Sequence, residues 1–322
     1  MKILITLLAL AIGAIGDGKA IAQDFPSRPV RIIVPLSAGS AFDILSRAIG
    51  NRFQERTGQP VIVENRVGGN MSVAANACKS AADDGYTICI FTQNLILNPL
   101  LYAKLSYDPF KDLAPVALVA FQQQVLISSK KLPVKTFAEL VKYSKDHPNT
   151  LNYASIGLGS DSHLILEWLR AVSGGDWKHV PFNGSPQALT AFESGDVHLL
   201  LTTAGNVLPH ISSGRVNALM MRGEKRSSLL PDVPSFTEAG VPPLQARSWA
   251  GFFAPAGVPP TILAKLSSEI RAIISEAGFQ ERFMRQVALE PVVMDQAAFK
   301  AFVTADQAAW APLIKSSGVE LQ

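Results

Sequence analysis

Residues 30–65 decide the fold of this chain. They read Val-Arg-Ile-Ile-Val-Pro-Leu at 30–36, Ser-Ala-Gly-Ser at 37–40, an amphipathic run that ends at Gly58, and Pro-Val-Ile-Val-Glu at 60–64. This pattern predicts a buried strand, a small-residue turn, a helix and a second strand. The turn joins the carboxyl end of the strand to the amino end of the helix, where unpaired N–H groups and the helix dipole favour an anion. The unit therefore predicts a pocket for a small anionic molecule.

The start of the chain has the features of an export signal. Lys2 gives a positive beginning, residues 3–15 are almost all apolar, and Ala-Ile-Ala stands at 20–22. The apolar stretch is short for a membrane span, and the A-x-A sequence is typical of a cleavage site. We expect a signal peptide over residues 1–22, cleaved after Ala22; an uncleaved anchor is the alternative. No second apolar run is long enough to cross a bilayer.

The charge and the cysteine content indicate which partners and which covalent links the protein could have. The 322 residues carry a formal net charge of +3, with Lys and Arg scattered, which argues against a nucleic-acid partner. The two cysteines, Cys78 and Cys89, fall near the end of a predicted helix and inside the predicted strand 86–91, with a turn at 82–85 between them. Because disulfides persist in exported proteins, we expect a Cys78–Cys89 bridge, with two buried thiols as the alternative.

Helical and strand patterns alternate along most of the chain, which predicts a parallel α/β sheet. Two α/β cycles followed by a final strand and helices fit a two-lobed fold in which the chain crosses twice, near 117–125 and 245–253. We expect the first lobe to contain residues 23–120 and 250–322 and the second lobe to contain residues 121–249.

Recognisable catalytic or metal motifs are absent from the sequence. There is no G-x-S-x-G, H-E-x-x-H, Walker or C-x-x-C pattern, and residues 157–162 lack the third glycine of a dinucleotide fingerprint. The five histidines have no metal-ligand spacing, so we expect no metal and no cofactor. Ser160 and His163 could act as a nucleophile and its base, but a helix cap at Ser160 is the simpler interpretation.

Several polar, small-residue turns follow predicted strands instead. Any one of them is compatible with ordinary helix capping. At one sheet edge in two lobes, they would face one another across a cleft and solvate a carboxylate without a fixed cation. Asp43 and Asp161 stand at helix starts, and we interpret both mainly as caps, because their charge would repel an anionic ligand. The polar, small-residue turns that follow predicted strands are 37–40, 92–94, 155–162, 183–185 and 202–206.

The chain resembles the Bug family, the substrate-binding receptors of tripartite tricarboxylate transporters. The matching motifs extend over nearly the whole chain after the signal segment. They are 25–35, Ala38-Gly39 with Asp43, 58–66, 84–87, Asn98-Pro99 with Leu101-Tyr102, 107–109, 153–155 through Gly159-Ser160 and His163, 230–234 with 238–240, and 249 through 254–257.

This resemblance implies a periplasmic, two-lobed binding protein of the type II, Venus flytrap class. Its ligand would be a small carboxylate: a di- or tricarboxylate, an acidic amino acid or an aromatic acid. The loops that match 37–43 and 155–163 would grip one carboxylate, partly through ordered water. The receptor would deliver this ligand to the membrane permease subunits, without catalysis or cofactor, and we expect a monomer.

The candidate ligand-binding residues combine this resemblance with loop position. The family loops supply those in the first group, and Thr92, Asn94, Asn183 and Thr202 are added because their turns follow strands. The first group consists of Ser37, Ala38, Gly39, Ser40, Asp43, Ser155, Gly157, Gly159, Ser160 and His163.

The sequence departs from the family pattern in three places. Ser40 stands where the family usually has a second glycine, and a glycine-rich stretch is reduced to Gly68-Gly69. Asn183 replaces a lysine between an aromatic residue and Gly184. These changes bear on which group the site would recognise at the end of the ligand away from the bound carboxylate. They do not alter the expectation that the two loops bind that carboxylate.

Two other functions are compatible with parts of the sequence. The same closed receptor could dock on a histidine kinase and act as a sensor. A periplasmic hydrolase using Ser160 and His163 is the third hypothesis.

Overall fold

The computed structural model describes residues 25–182 and 184–319. The expected signal peptide and Asn183 lie outside the described residues. The described part of the chain forms two β-sheets with helices around them. Its strands are β1 (Val30–Val34), β2 (Val61–Asn65), β3 (Thr87–Thr92), β4 (Leu113–Gln122), β5 (Gln124–Ser129), β6 (Asn152–Ser155), β7 (Lys178–Pro181), β8 (Leu199–Thr203), β9 (Val216–Met221), β10 (Trp249–Pro255) and β11 (Leu289–Met294).

The helices cover both sheets. Two short 3₁₀ turns, Gly69–Met71 and Arg285–Val287, precede α2 and β11. The α-helices are α1 (Ala41–Thr57), α2 (Ser72–Lys79), α3 (Asn94–Leu101), α4 (Phe137–Asp146), α5 (Asp161–Ser173), α6 (Ser185–Ser194), α7 (Ala204–Ser212), α8 (Pro260–Ile274), α9 (Ala277–Phe283) and α10 (Gln296–Ser317).

The first sheet has six strands in the order β11-β4-β10-β3-β1-β2. β1 pairs in parallel with β2 and β3, as the opening strand–helix–strand unit predicts. β10 pairs antiparallel with both β3 and β4. Every residue of β3 and β10 is buried, because helices cover both faces of the sheet and its central strands can be wholly apolar.

The second sheet has five strands in the order β7-β6-β8-β5-β9. β6 is parallel to β7 and β8, whereas β5 is antiparallel to β8 and β9. Both sheets are therefore mixed, and the expectation of a parallel sheet was wrong in this respect. The reason is that the chain passes between the lobes. Parallel strands in one sheet need a crossover connection, usually a helix, whereas β5 and β10 each enter their sheet directly from the other lobe and therefore run antiparallel to their neighbours.

Two segments carry the chain between the sheets. Only Gln123 separates β4 from β5, and residues 222–248 lead from β9 back to β10. The last helix, α10, adds a connection of another kind. Phe299 near its start packs in the core of the first sheet, while Trp310 near its end packs with residues of the second. With 22 residues α10 spans about 33 Å. The lobe boundaries drawn from the sequence stay a prediction.

A disulfide joins Cys78 of α2 to Cys89 of β3. Both cysteines are fully buried, and they share a core cluster with Ile33 and Phe91. The bridge spans a sequence separation of 11 residues. It therefore links α2 covalently to the centre of the first sheet. In the unfolded chain it closes a short loop and so reduces the conformational entropy of that state.

Replacing both cysteines, as Cys78→Ala with Cys89→Ala, should lower the free energy of unfolding by about 2–3 kcal/mol, because the unfolded chain regains the entropy of the open loop. Urea unfolding of the oxidised wild type, the reduced wild type and the double variant measures this. The reduced wild type and the variant should coincide, and addition of reductant to the variant should change nothing. Equal stability of oxidised and reduced wild type would contradict the prediction.

Candidate functional site

The first candidate loop lies between β1 and α1. Ser40 caps α1: its Oγ accepts the N–H of Asp43 at 3.3 Å, and its own N–H donates to the carbonyl of Ser37 at 3.1 Å. Gly39 has φ +80°, a left-handed conformation that glycine adopts without strain. Residues 37–39 are exposed, so the loop is open to a ligand.

Asp43 is the internal support of this loop. One oxygen, Oδ2, accepts the N–H of Gly39 at 2.9 Å, and Oδ1 accepts the Asn65 amide at 2.9 Å. Arg47 Nε donates to Oδ2 at 3.1 Å. Burial by itself raises the pKa of Asp43, but the hydrogen bonds from Arg47, Gly39 and Asn65 outweigh it and hold the pKa below its ordinary value. The carboxylate shapes the loop, as the capping interpretation predicts.

The second candidate loop, between β6 and α5, has the same local design. Ser160 caps α5 through the N–H of His163 at 3.4 Å, and its N–H donates to the carbonyl of Gly157 at 3.2 Å. Gly159 has φ +69° and donates its N–H to Nδ1 of His163 at 3.0 Å. A side chain at Gly159 would also meet Leu101 of α3, since a Cβ there would lie 2.9 Å from Leu101 Cδ1.

The two loops are structurally equivalent. Ser40 and Ser160 share φ −66° with ψ of 158° and 159°, respectively. In each loop the residue three positions after the serine accepts the glycine N–H, with Asp43 in one and His163 in the other. Sequence reasoning did not connect them, although Gly-Ser-x-x-Asp and Gly-Ser-x-x-His were visible. Each loop ends at a helix whose first N–H groups lack intrahelical acceptors.

His163 is stacked on His179 of β7. Their ring centroids lie 3.8 Å apart with planes inclined by 12°, and Nε2 of His179 lies 2.6 Å from Ser155 Oγ. Burial lowers the pKa of His163 to about 4, and burial together with the neighbouring His163 lowers that of His179 to about 4. Both rings are therefore neutral at pH 7. Because Nδ1 of His163 accepts a hydrogen bond, its proton is on Nε2.

Three further residues, Tyr153, Glu167 and Arg170, hold the histidine pair in place, and the sequence analysis assigned them no role in the site. Tyr153 stacks on His179 with centroids 5.0 Å apart, and its hydroxyl donates to Glu167 at 2.7 Å. Arg170 donates to the other oxygen of Glu167 at 2.9 Å. These contacts fix the ring of His179 and, through it, the loop that Ser155 begins.

The hydrolase hypothesis required Ser160 to donate to the ring of His163. The structure has a different arrangement: Ser160 Oγ donates to the Gly157 carbonyl at 2.7 Å, and the ring nitrogen Nδ1 of His163 accepts from Gly159. The serine–histidine ring contact in this loop is that of Ser155 with His179, and Ser155 is fully buried. The proposed nucleophile–base pair is not formed.

The candidates added from loop position have partners within the protein. Thr92 Oγ1 donates to Met71 Sδ at 3.5 Å, and the Asn94 amide donates to Asn70 at 2.9 Å; both side chains are buried. Thr202 Oγ1 accepts the amide of Asn206 at 3.3 Å. Asn183 lies outside the described residues. Ligand contact by these four residues stays a prediction.

A cavity of about 900 Å³ adjoins the crossing segments. It is lined by the end of β4, by residues that follow β9, by the approach to β10 and by the start of β11. None of its lining residues belongs to 37–43 or 155–163, so it is separate from the two loops. Arg222, Arg247, Arg285, Lys225 and Arg226 give it a cationic character that Glu224 and Glu290 balance in part.

Two further features bear on function. Within residues 25–182 and 184–319, no helix combines the length and the hydrophobicity needed to cross a membrane. Across the same residues, no cluster of three His, Cys, Asp or Glu side chains could hold a metal ion.

The neutral histidine pair predicts a pH-dependent stability. The unfolded chain takes up protons on both histidines near pH 6.5, whereas the folded protein does so only near pH 4. The unfolded state thus binds more protons in between, so the free energy of unfolding should fall by several kcal/mol as the pH drops from 6.5 to 4, since one pKa unit is worth about 1.4 kcal/mol for each histidine.

Urea unfolding at several pH values tests this, with His179→Gln as the variant and exposed His147→Gln as its matched control. The His179 variant should have a flatter pH dependence than wild type, and the His147 variant should follow wild type. Identical slopes in all three proteins would refute a role for the pair.

Comparison with known proteins identifies the fold. Among solved structures, that of R. palustris Rpa4515 with adipate has a TM-score of 0.87 at 31% identity, covering 93% of this chain and all of that chain. The structure of MatC from Rhodopseudomonas palustris with bound malate has a TM-score of 0.80 at 30% identity, over 90% of this chain and all of that chain. The fold is that of a two-domain α/β periplasmic binding protein.

Sequence comparison gives the family. BugT from Bordetella pertussis is 29% identical, and the match covers 100% of this chain and 99% of BugT. The family model described as "Tripartite tricarboxylate transporter family receptor" matches residues 45–319. The resemblance inferred from the motifs is confirmed: the chain belongs to the tripartite tricarboxylate transporter receptor family.

Proposed function

We propose that this protein binds a small carboxylate between its two lobes and delivers it to the membrane permease of a tripartite tricarboxylate transporter. The observation that carries the proposal is the pair of equivalent Gly-Ser loops, one in each lobe, each ending at a helix N-terminus. The start of α1 is partly exposed, whereas in the second loop residues 156–158 are accessible and the start of α5 is buried. Structural neighbours that contain adipate and malate support a carboxylate as the ligand.

Each loop would recognise the anion through N–H donors rather than through a cation. Ala41 and Asp161 are the first residues of α1 and α5, so neither has an intrahelical acceptor for its N–H. The helix dipole adds positive potential at the same place. Arg47, a cation that contacts the first loop, is already paired with Asp43 at 3.0 Å.

Asp43 and His163, which hold the two loops in place, leave no unbalanced negative charge near the ligand. The charge of Asp43 is balanced by Arg47, and His163 supports the second loop as a neutral ring. The two loops together would then hold one carboxylate of the ligand, one loop from each lobe. Such a ligand would hold the lobes together and exclude water by hinge rotation about the crossing segments.

We also propose that the chain is exported to the periplasm after cleavage at Ala22, and that it works as a monomer. No covalent step is needed for this function, so binding and release are the whole cycle.

The test is thermal unfolding of the protein from Gln23 onward against a panel of mono-, di- and tricarboxylates that includes adipate and malate. At 100 times the dissociation constant a ligand adds about 2.7 kcal/mol of stability and raises the Tm. A prior unfolding and refolding step removes any carboxylate that was purified with the protein. If no carboxylate raises the Tm of the refolded protein, the proposal fails.

The contribution of a single N–H donor can be tested by Ala41→Pro. Proline is tolerated at the first helical position, as at Pro260 in α8, and the extended ψ of 158° at Ser40 suits a following proline. The variant should keep its Tm without ligand but bind the carboxylate about 10-fold more weakly, because a charge-assisted hydrogen bond is lost.

Isothermal titration with adipate and malate measures this loss, and Ala41→Gly is the matched control that changes the side chain but keeps the N–H. The glycine variant should bind within about threefold of wild type. Equal binding by the proline variant and the wild type would mean that this donor does not contact the ligand.

A further inference from the structure

A buried polar cluster lies where the two lobes meet. Asp161 Oδ2 accepts hydrogen bonds from Gln124 Nε2 at 2.8 Å and from Ser248 Oγ at 2.6 Å, and lies 3.5 Å from Arg222 Nη1. The same Arg222 nitrogen donates to Gln124 Oε1 at 2.7 Å and to Ser248 Oγ. The side chains of Arg222 and Asp161 are only 6% and 5% exposed.

These four residues come from separate parts of the chain that meet at the crossings. Asp161 begins α5 in the second lobe, and Gln124 begins β5 directly after the first crossing. Arg222 follows β9 at the start of the second crossing. Ser248 precedes β10 in the first sheet, where its carbonyl accepts the N–H of Gln122 at 2.8 Å. The cluster thus connects the second loop to both crossings and to the first sheet.

Arg222 has a fixed position in this cluster. Its Nη2 donates to the Ala246 carbonyl at 2.8 Å, and its guanidinium carbon lies 5.2 Å from the ring centroid of Trp310. Burial lowers the pKa of Arg222 to about 10, while the nearby Asp161 and Asp306 oppose this fall. The guanidinium is therefore still charged at pH 7.

The negative charge of Asp161 stands next to the Ser160 cap in the second loop. Its Oδ1 accepts the N–H of Ser162 at 2.8 Å, so the carboxylate cannot turn away from the start of α5. A lone carboxylate at this position would repel an anionic ligand and oppose the favourable potential of the helix N-terminus. The loop can accept a carboxylate only if another charge balances Asp161.

We propose that Arg222 is the positioning residue that gives the second loop its preference for anions. It acts through Asp161, without touching the ligand, by neutralising that carboxylate beside the binding loop. This inference rests on the proposed function, since it explains how a carboxylate can bind next to an aspartate.

The test measures adipate and malate affinity by isothermal titration for four proteins beside the wild type: Arg222→Gln, Asp161→Asn, the double variant with both changes, and Arg226→Gln. Arg226 lies in the same segment and pairs with Glu238 on the surface, so its variant matches the charge change without touching the cluster. Circular dichroism and the Tm of each ligand-free protein report folding separately from binding.

Arg222→Gln should weaken binding by about 10-fold or more, because the uncompensated Asp161 repels the anion at short range. Arg226→Gln should bind like wild type. Asp161→Asn should bind at least as tightly as wild type even if it is less stable. The double variant should recover to within about threefold of wild type, because neither charge remains.

The decisive result is this recovery, which direct ligand contact by Arg222 would not produce. A purely structural role would instead lower the ligand-free Tm of Arg222→Gln in step with its affinity. A double variant that binds as weakly as Arg222→Gln overturns the inference, as does an Arg222→Gln variant with wild-type affinity, or an Asp161→Asn variant with an equal loss. Arg222→Gln leaves the charge of Asp161 buried without a partner and could fail to fold for that reason. In that case the affinity of the double variant is compared with that of the wild type, and a loss of more than about threefold overturns the inference. Failure of the wild type to bind either acid overturns the proposed function, and this inference with it.

Discussion

Two opposite charges, Asp161 and Arg222, are buried where the chain passes between the two sheets, and the arrangement of the second loop depends on them. A buried charge is tolerated only when a partner and further hydrogen bonds compensate its lost hydration. Gln124, Ser248 and the Ala246 carbonyl supply those bonds. The start of α5 must therefore lie against both crossings at once, which limits how the second lobe can be placed relative to the first.

The two loops satisfy the same backbone requirement with different side chains. In each, a left-handed glycine turns the chain, a serine caps the helix, and a residue three positions later accepts the glycine N–H. Asp43 does this as an anion balanced by Arg47, whereas His163 does it as a neutral ring held by His179. Neither solution presents net negative charge at the helix start, which is the common requirement for an anion to approach.

Sequence patterns predicted most elements but not their directions. Alternating strands and helices suggested parallel sheets, while β5 and β10 run antiparallel because each arrives from the other lobe. The helix α3 was expected only as a polar loop at 92–94, since the short run Leu95–Leu97 is too brief for periodicity to separate helix from strand. Thr92 and Asn94 are candidates from loop position alone, and only the structure provides their partners Met71 and Asn70; ligand contact by either residue stays a prediction.

The sequence by itself determined the local features: the β1–α1 unit, the cap at Ser160, the interpretation of Asp43 as a support of the helix start, and the family of the chain. These depend on residues within a few positions of one another, where spacing is informative. Only the tertiary structure decided that Asp161 meets Arg222, that His163 stacks on His179 and that the two loops match. Such contacts join side chains far apart in the chain, and their energies depend on burial, which the crossing of the two lobes creates.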